Sequence, residues 1–476
     1  MRSLLILVAG ILLLASCSDS RTISFPTSDG GVVYADEYGK GDRSVILAHG
    51  GRFTKESWVN QATILADAGY RVIAIDFRGR GNSVGPPSDT TNSDVHHDVR
   101  AAIDYARNSG ASSVSIVGGS FGGWAAANAV IDIPGEVDKF VILASGVDEP
   151  ERIDVENTLF VLSRDDFRGE GTPRLPEIRE DFARIPGRKE MVLLNGNAHA
   201  QYLFDTEQSE LLMSEILRFL QNPPPNFSVY EPGVISKTAV EEVSPSATDD
   251  GNTIVFATTE DWDHKYPFSA TRLGSAWQVN TLRFVETLYN LSIFPDGQTI
   301  VFQVGAGDVE TGISKVFLTS RINDDWSKPV EVESLSGIDA GYFSAPPDSA
   351  LYFFAVVDGK EGIYFSEPDS NRQYAPATWF AENVSPVVRG STSFDLLMHP
   401  AKDRLIISRY SEPEAIGEAG PPGIYYYEME NGEWLERRIL NLPYGWGSTV
   451  LPDGLFLFTD GEDIWTASAD ELRIDW

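Results

Sequence analysis

The chain has 476 residues, of which 42% are hydrophobic and 22% are charged. Because a single hydrophobic core rarely extends beyond roughly 250–300 residues, two or more folded domains are expected, and this composition excludes a disordered or fibrous chain. The 70 acidic and 37 basic side chains give a net charge of −33, which would repel a phosphate backbone and argues against nucleic-acid binding. The single cysteine, Cys17, cannot form an internal disulfide or a cysteine-rich zinc site.

The first 17 residues have the pattern of a targeting segment. Arg2 is followed by an unbroken apolar run over residues 4–14. As a helix this run would be about 16 Å long, whereas a bilayer core of about 30 Å needs roughly 20 residues. The run is therefore too short to span a membrane.

Residues 14–17, Leu-Ala-Ser-Cys, resemble the lipobox of bacterial lipoprotein signal peptides. The resemblance implies cleavage before Cys17 and a lipid on its thiol, which would tether a folded protein to a membrane. Because Ser18 and not Asp follows the cysteine, it also implies the outer membrane, with the protein facing the periplasm. The alternatives are an ordinary secretory signal with an incidental cysteine, or a buried N-terminal helix.

Residues 22–221 alternate short apolar runs with amphipathic stretches, which predicts an α/β domain with a mostly parallel sheet. Predicted strands lie at Ser44–Ala48, Arg71–Ile75, Val114–Val117, Phe140–Ala144, Leu159–Leu162 and Met191–Leu194. Predicted helices lie at Asn60–Ala68, Ser93–Asn108, Gly122–Val130 and near Glu207–Leu220. The sequence Asn-Pro-Pro-Pro-Asn at 222–226 breaks any helix and stiffens the chain. We therefore predict a signal peptide at 1–16, an α/β domain at 17–221, a linker at 222–226 and a second domain at 227–476.

The second domain contains a repeat. Asp-Gly precedes an apolar strand pattern at residues 250, 296 and 453, and degenerate copies begin at 346 and 400. A second marker, a tryptophan near the end of each unit, falls at Trp277, Trp326, Trp379 and Trp434. Both markers have a period of about 50 residues, which is typical of propeller blades.

These repeats predict an all-β propeller in which each Asp-Gly forms a hairpin turn. The stretch resembles the Pro-Asp-Gly repeats of periplasmic Tol-type propellers. Five copies are visible, and a sixth blade would require a copy that has lost both markers. A β-sandwich or a β-helix with coincidental turns is the alternative fold.

A candidate nucleophile lies in the first domain. The strand Val114–Val117 continues into Gly118-Gly119-Ser120-Phe121-Gly122 and then into a run of small residues. A serine in this G-x-S-x-G pattern, between a strand and a helix, indicates a nucleophile elbow, where the sharp turn requires the flanking glycines. Together with His49-Gly50-Gly51 after the strand at 44–48, the pattern resembles the α/β-hydrolase superfamily, specifically its small uncapped esterases and peptidases.

The resemblance implies a catalytic triad in the chain order serine, acid, histidine. Of the six histidines, two lie in the repeats, and His199 alone among the others follows Ser120. The acid is expected after the strand at 159–162, where Asp165 and Asp166 are adjacent. The family's usual strand–loop–Asp offset favours Asp166, with Asp165 as the alternative and Asp148 as a third candidate.

The implied oxyanion hole consists of the backbone N–H groups of Phe121 and Gly51, with Arg52 as an alternative to Gly51. No metal and no organic cofactor is implied. We therefore expect a membrane-tethered serine hydrolase, carboxylesterase-like or peptidase-like, that cleaves an ester or amide bond in a small molecule or peptide. The propeller would gate the site, bind substrate or bind a protein partner. The alternative is a binding lipoprotein that uses its propeller and carries a vestigial hydrolase domain.

Overall fold

The computed structural model describes residues 20–476 except 170, 263, 306–313 and 324. The expected signal peptide and Cys17 lie outside these residues. The chain divides into two compact units, residues 1–139 and 140–476. In the described part of the chain, no helix combines the length and the apolar character needed to cross a membrane.

In its described residues the first unit has five strands and three α-helices, namely β1 (Arg21–Pro26), β2 (Val32–Tyr38), β3 (Arg43–Ala48), α1 (Val59–Asp67), β4 (Arg71–Ile75), α2 (His96–Asn108), β5 (Ser113–Gly119) and α3 (Phe121–Ile131). The strands are ordered β1-β2-β4-β3-β5. β3 pairs in parallel with β4 and β5, whereas β1 and β2 form an antiparallel edge. In β3 every residue from Ser44 to Ala48 is buried, as expected for a parallel strand that is covered on both faces.

The second unit begins within β6 (Lys139–Leu143) and continues with β7 (Asn157–Ser163), α4 (Leu175–Arg184), β8 (Arg188–Leu194) and α5 (Ser209–Gln221). β6 lies beside β7, and β7 pairs in parallel with β8 over the full length of both strands. All seven residues of β7 are buried. These elements give this part of the second unit the alternating parallel strands and helices that the sequence predicts.

The remaining strands of the second unit form small antiparallel sheets. They are β9 (Phe227–Val229), β10 (Glu241–Ala247), β11 (Thr253–Thr259), β12 (Lys265–Leu273), β13 (Ala276–Thr281), β14 (Asn290–Ile293), β15 (Thr299–Val304), β16 (Lys315–Ile322), β17 (Asp325–Trp326), β18 (Val330–Glu331), β19 (Gly341–Ser344), β20 (Leu351–Val357), β21 (Lys360–Ser366), β22 (Thr378–Trp379), β23 (Ser391–Met398), β24 (Arg404–Ser411), β25 (Gly423–Glu430), β26 (Glu433–Ile439), β27 (Trp446–Val450), β28 (Leu455–Thr459) and β29 (Ile464–Ser468). Two helical turns, α6 (Ile416–Ala419) and α7 (Ala469–Leu472), interrupt them.

These sheets are arranged like a propeller. Their first strands touch in a ring, since β10 contacts β14, β14 contacts β19, β19 contacts β23, β23 contacts β27, and β27 contacts β10. β9 pairs with β29 and completes the last sheet. Apolar clusters fill the spaces between neighbouring sheets; one of them joins Val255 of the first sheet to Leu291 and Phe302 of the second.

The predicted Asp-Gly turns connect the first and second strands of their sheets. Gly251, Gly297 and Gly454 have φ values of 64°, 69° and 82°, a left-handed conformation that favours glycine. The Asp250 carboxylate accepts a hydrogen bond from the backbone N–H of Asn252 at 3.0 Å. Local turn chemistry therefore explains this part of the repeat.

One group of strands differs from the others. β26 pairs antiparallel with β8, with Arg438 opposite Val192 and Ile439 opposite Met191. The strands β6-β7-β8-β26-β25-β24-β23 consequently form one continuous run of neighbours. Backbone pairing therefore continues between strands that the sequence analysis assigned to separate domains.

Candidate active site

Ser120 occupies a sharp turn in the first unit, between β5 and α3. Its φ and ψ are 48° and −116°, a strained conformation for a residue with a side chain. A Cβ on Gly118 would lie 2.6 Å from the Cα of Gly123, and one on Gly122 would lie 2.7 Å from the carbonyl oxygen of His49. Glycine is thus required on both sides of the serine, as a nucleophile elbow demands.

The loop after β3 lies against the start of α3. A Cβ on Gly51 would be 3.6 Å from the Cβ of Phe121. The carbonyl of Gly50 accepts a hydrogen bond from the N–H of Phe53 at 3.0 Å, which fixes the peptide plane that carries the N–H of Gly51. The Gly51 carbonyl accepts from Arg80 at 2.6 Å. The first unit therefore holds the loop of Gly51 and Arg52 in a defined conformation beside Phe121.

His49 has a structural role in this loop. It is 1% exposed, its Nδ1 lies 2.9 Å from the Gly50 carbonyl oxygen, and its Nε2 accepts from the N–H of Phe77 at 3.3 Å. Burial lowers the pKa of His49 to about 4. The ring is therefore neutral at pH 7 and serves as a hydrogen-bonded support for the turn.

The second unit brings together Asp166 and His199. Nδ1 of His199 lies 2.6 Å from Oδ2 of Asp166; the aspartate side chain is 1% exposed and the histidine 28%. The adjacent Asp165 is exposed, and so is Asp148. Of the three candidate acids, Asp166 is thus the one that forms this hydrogen bond with the histidine.

The loops after β7 and β8 are joined by backbone hydrogen bonds. The N–H of Arg164 donates to the Leu194 carbonyl at 2.8 Å, and the N–H of Asp165 donates to the Gly196 carbonyl at 2.9 Å. These bonds extend the β7–β8 pairing beyond the strands, so that Asp166 and His199 leave the same edge of the sheet.

Arg174 is a neighbour of Asp166 that the sequence analysis did not identify. Its backbone N–H donates to the Asp166 backbone carbonyl at 2.9 Å, and its side-chain Nε lies 3.4 Å from the Asp166 carboxylate. The two are eight positions apart in the chain, and no motif marks the arginine, so only the folded loop reveals the contact.

Among the described residues, no group of three or more His, Cys, Asp or Glu side chains is placed so that it could hold a metal ion.

Comparison with known proteins confirms the α/β hydrolase fold that is expected from the sequence. A model of the alpha/beta hydrolase family matches residues 45–292, which is more than half of the chain. The chain therefore belongs to the alpha/beta hydrolase family.

Individual relatives match only parts of the chain. It is 31% identical over 131 residues to a putative non-heme chloroperoxidase of Synechocystis sp., covering 26% of this chain and 46% of the relative. It is 29% identical over 123 residues to a 2-hydroxy-6-oxononadienedioate/2-hydroxy-6-oxononatrienedioate hydrolase of Burkholderia vietnamiensis, covering 25% and 42%. The chain thus spans less than half the length of these two relatives. An esterase structure from Pyrococcus furiosus aligns at 16% identity and a TM-score of 0.37, covering 43% of this chain and 91% of the esterase.

Proposed function

We propose that this protein is a serine hydrolase that cleaves a carboxylic ester or an amide bond, including peptide bonds, through a triad of Ser120, His199 and Asp166. Ser120 attacks the acyl carbon while His199 accepts its proton through Nε2. Asp166 orients the imidazole through Nδ1–H and stabilises the imidazolium. His199 then protonates the leaving group, and water hydrolyses the acyl-enzyme with His199 again acting as the base.

The hydrogen bond between His199 and Asp166 is the observation that carries this proposal. A buried carboxylate 2.6 Å from Nδ1 favours the histidine tautomer that carries its proton on Nδ1, so that Nε2 can act as the base. The strained turn at Ser120 supports the choice of nucleophile. The backbone N–H groups of Phe121 and Gly51 are the proposed oxyanion donors, with Arg52 as the alternative to Gly51.

The remaining proposals concern location and the propeller-like region. We propose that a lipid on Cys17 tethers the protein in the bacterial cell envelope, at the outer membrane and facing the periplasm. We further propose that the propeller-like region is a propeller of five blades. It would bind a small-molecule or peptide substrate or gate access of that substrate to the active site. The tether is proposed from the lipobox-like sequence at 14–17. The blade number is proposed from the five groups of paired antiparallel strands among the described residues.

Covalent labelling tests the nucleophile directly. The fragment that starts after Cys17 is treated with a fluorophosphonate, and the adduct is located by mass spectrometry. We expect one adduct on Ser120, absent from Ser120→Ala and strongly reduced in His199→Ala.

An isosteric variant tests the acid. Asp166→Asn should lower the labelling rate by about 10³–10⁴-fold because the wrong histidine tautomer is favoured, whereas Asp165→Asn should leave the rate unchanged. Folded wild-type protein that remains unlabelled would sink the hydrolase proposal and favour the propeller-like region as the functional part.

A further inference from the structure

The carboxylate of Glu436 lies at the centre of a buried cluster within the second unit. Glu436 is on β26 and is 6% exposed. It accepts two hydrogen bonds from the Arg179 guanidinium of α4, at 2.9 and 3.0 Å. The Tyr427 hydroxyl of β25 donates to it at 3.3 Å, and the Arg409 guanidinium of β24 lies 3.6 Å away. A residue of the propeller-like region thus holds a helix of the α/β part.

The first connection to the candidate site runs through α4. The Arg179 guanidinium also donates to the Glu418 carbonyl at 2.9 Å. The acceptors Glu418 and Glu436 both lie in the propeller-like region. α4 begins at Leu175, directly after Arg174, the residue that contacts the Asp166 carbonyl and carboxylate. Displacement of α4 would therefore displace a neighbour of the candidate acid.

The second connection runs through Arg164. Its guanidinium donates to the backbone carbonyl of Glu436. Its backbone N–H donates to the carbonyl of Leu194, the residue from which the chain continues to His199. Arg164 is two residues from Asp166. β26 therefore touches the acid-bearing loop directly and also through α4.

The charges of the cluster require an ionised glutamate. Burial would raise the pKa of Glu436, but Arg179, Arg409 and Arg164 outweigh burial and hold that pKa below its ordinary value. The cluster holds three guanidinium groups around this one carboxylate, so removal of its charge would leave the arginines less well compensated. The side chains expected to move are then Arg164 and Arg179.

We propose that Glu436 is a positioning residue that aligns the Asp166–His199 pair through Arg164 and Arg179. The inference rests on the proposed function for its catalytic consequence. Glu436 does not touch the reacting atoms; it restricts the loop that carries the acid. The propeller-like region thereby contributes to the geometry of the active site without supplying a catalytic group.

Glu190 provides a matched control. It is also a buried glutamate at the junction of β8 and β26, 3% exposed, and its ionic partners are Arg438 and Arg218. Neither arginine belongs to α4 or to the Asp166 loop. Glu190→Gln and Glu436→Gln thus remove the same charge from the same junction with different connections to the site.

The test uses the fragment that starts after Cys17. Three properties are measured: the thermal unfolding temperature, the rate of fluorophosphonate labelling as a function of pH, and the downfield proton resonance of His199 Nδ1, which is assigned with His199→Ala. At a temperature where each variant is folded, we expect Glu436→Gln to slow labelling about tenfold or more, because small displacements are costly in catalysis. The variant should also shift the midpoint of the pH profile of the labelling rate and change the chemical shift of the His199 Nδ1 proton. Glu190→Gln should change only the unfolding temperature, and Glu436→Asp should restore part of the labelling rate.

Other outcomes overturn the proposal. Equal slowing in Glu436→Gln and Glu190→Gln, or an unchanged pH midpoint and proton resonance in Glu436→Gln, would reduce Glu436 to a structural role. If Glu436→Gln does not fold, Arg164→Gln replaces it, since this variant keeps the Glu436–Arg179 pair, and an unchanged resonance there contradicts the proposal. If wild-type Ser120 does not label, the proposed function fails, while the proton resonance still decides whether Glu436 positions the pair.

Discussion

The outer strands β13 and β26 occupy the same place in the repeat but have different surroundings. All six residues of β13 are exposed or half-buried, and its tryptophan, Trp277, is half-buried. In β26 four of the seven residues are buried, and the equivalent Trp434 is 8% exposed. β26 pairs with β8 at Arg438 and Ile439 and its Trp434 packs against Phe380, whereas β13 is the last strand of its sheet.

The two strands show two ways to treat a sheet edge. An open edge is protected by polar side chains, and β13 presents Gln278 and Asn280. The β26 edge is covered, and its charges are compensated inside the protein: Arg438 donates to Glu190 at 2.9 Å and to Glu215 at 2.8 Å. Similar outer strands can therefore serve as a solvated border or as a junction, depending on what covers them.

The largest predicted effect comes from breaking the junction. Arg438→Ala removes one of the two arginines that Glu190 and Glu215 share, Arg218 being the other, and should cost about 3–5 kcal/mol of unfolding free energy, measured by urea denaturation. Gln278→Ala on the open strand should change it by less than about 0.5 kcal/mol. Similar losses in both variants would contradict the distinction between the two edges.

The repeated tryptophan should also matter more on β26. Trp434→Ala should cost about 3–4 kcal/mol, as truncation of a buried aromatic side chain does. Trp326→Ala, on the half-buried outer strand β17, should cost about half as much because less of its surface leaves water on folding. Thermal unfolding of the two variants in parallel gives the comparison, and a larger loss for Trp326→Ala would reverse it.

The junction should also make the protein sensitive to acid. Burial would raise the pKa of Glu215, but Arg438 and Arg218 outweigh burial and hold the pKa below its ordinary value of 4.5. The folded state thus binds fewer protons than the unfolded state. Glu215 contributes stability above about pH 4.5, and this contribution is lost as the pH falls through the folded pKa.

Glu215→Gln should therefore weaken the decline of stability between pH 6 and pH 3, measured by urea denaturation at each pH. Asp453→Asn, in an exposed turn, serves as the control. An unchanged pH dependence in Glu215→Gln would show that the ion pairs of the junction do not account for acid sensitivity.

A small effect is also expected at the open strand β22. The Lys360 ammonium lies 3.4 Å from the ring centre of Trp379. A cation–π contact at the protein surface is worth about 0.5–1 kcal/mol. Lys360→Met should lower the unfolding free energy by no more than this amount, as measured by chemical denaturation. A loss comparable with that of Arg438→Ala would mean that the outer strands are equally important.

The parallel strands could be predicted because their signal is local. Arg71–Ile75 was predicted with the bounds that β4 has, since a strand covered on both faces is a continuous apolar run. β2 was not predicted because the charged pair Asp36-Glu37 interrupts its apolar residues, so that it is not a continuous apolar run. α4 was missed as well: five of its ten residues are charged, and part of its buried face consists of Arg179 and Asp181.

The candidate site was predictable to the extent that a motif marks it. The glycines around Ser120 identify the turn, because steric exclusion of a Cβ is a local property. The choice between Asp165 and Asp166 remained open in the sequence, since both are aspartates after the same strand. Burial of Asp166 and its bond to His199 depend on packing between two loops that are 33 residues apart in the chain.

By itself, the sequence determined the family's fold, the strained serine turn and the hairpin repeat, because apolar periodicity and glycine geometry act over a few residues. The tertiary structure alone decided that β26 would cover β8 and that Glu436, Arg438 and Glu215 would be buried in ion pairs. Charged side chains in a strand indicate a solvated edge when read alone. Their role changed here because partners more than 200 residues away compensate their charges, and such long-range pairing leaves no local signal.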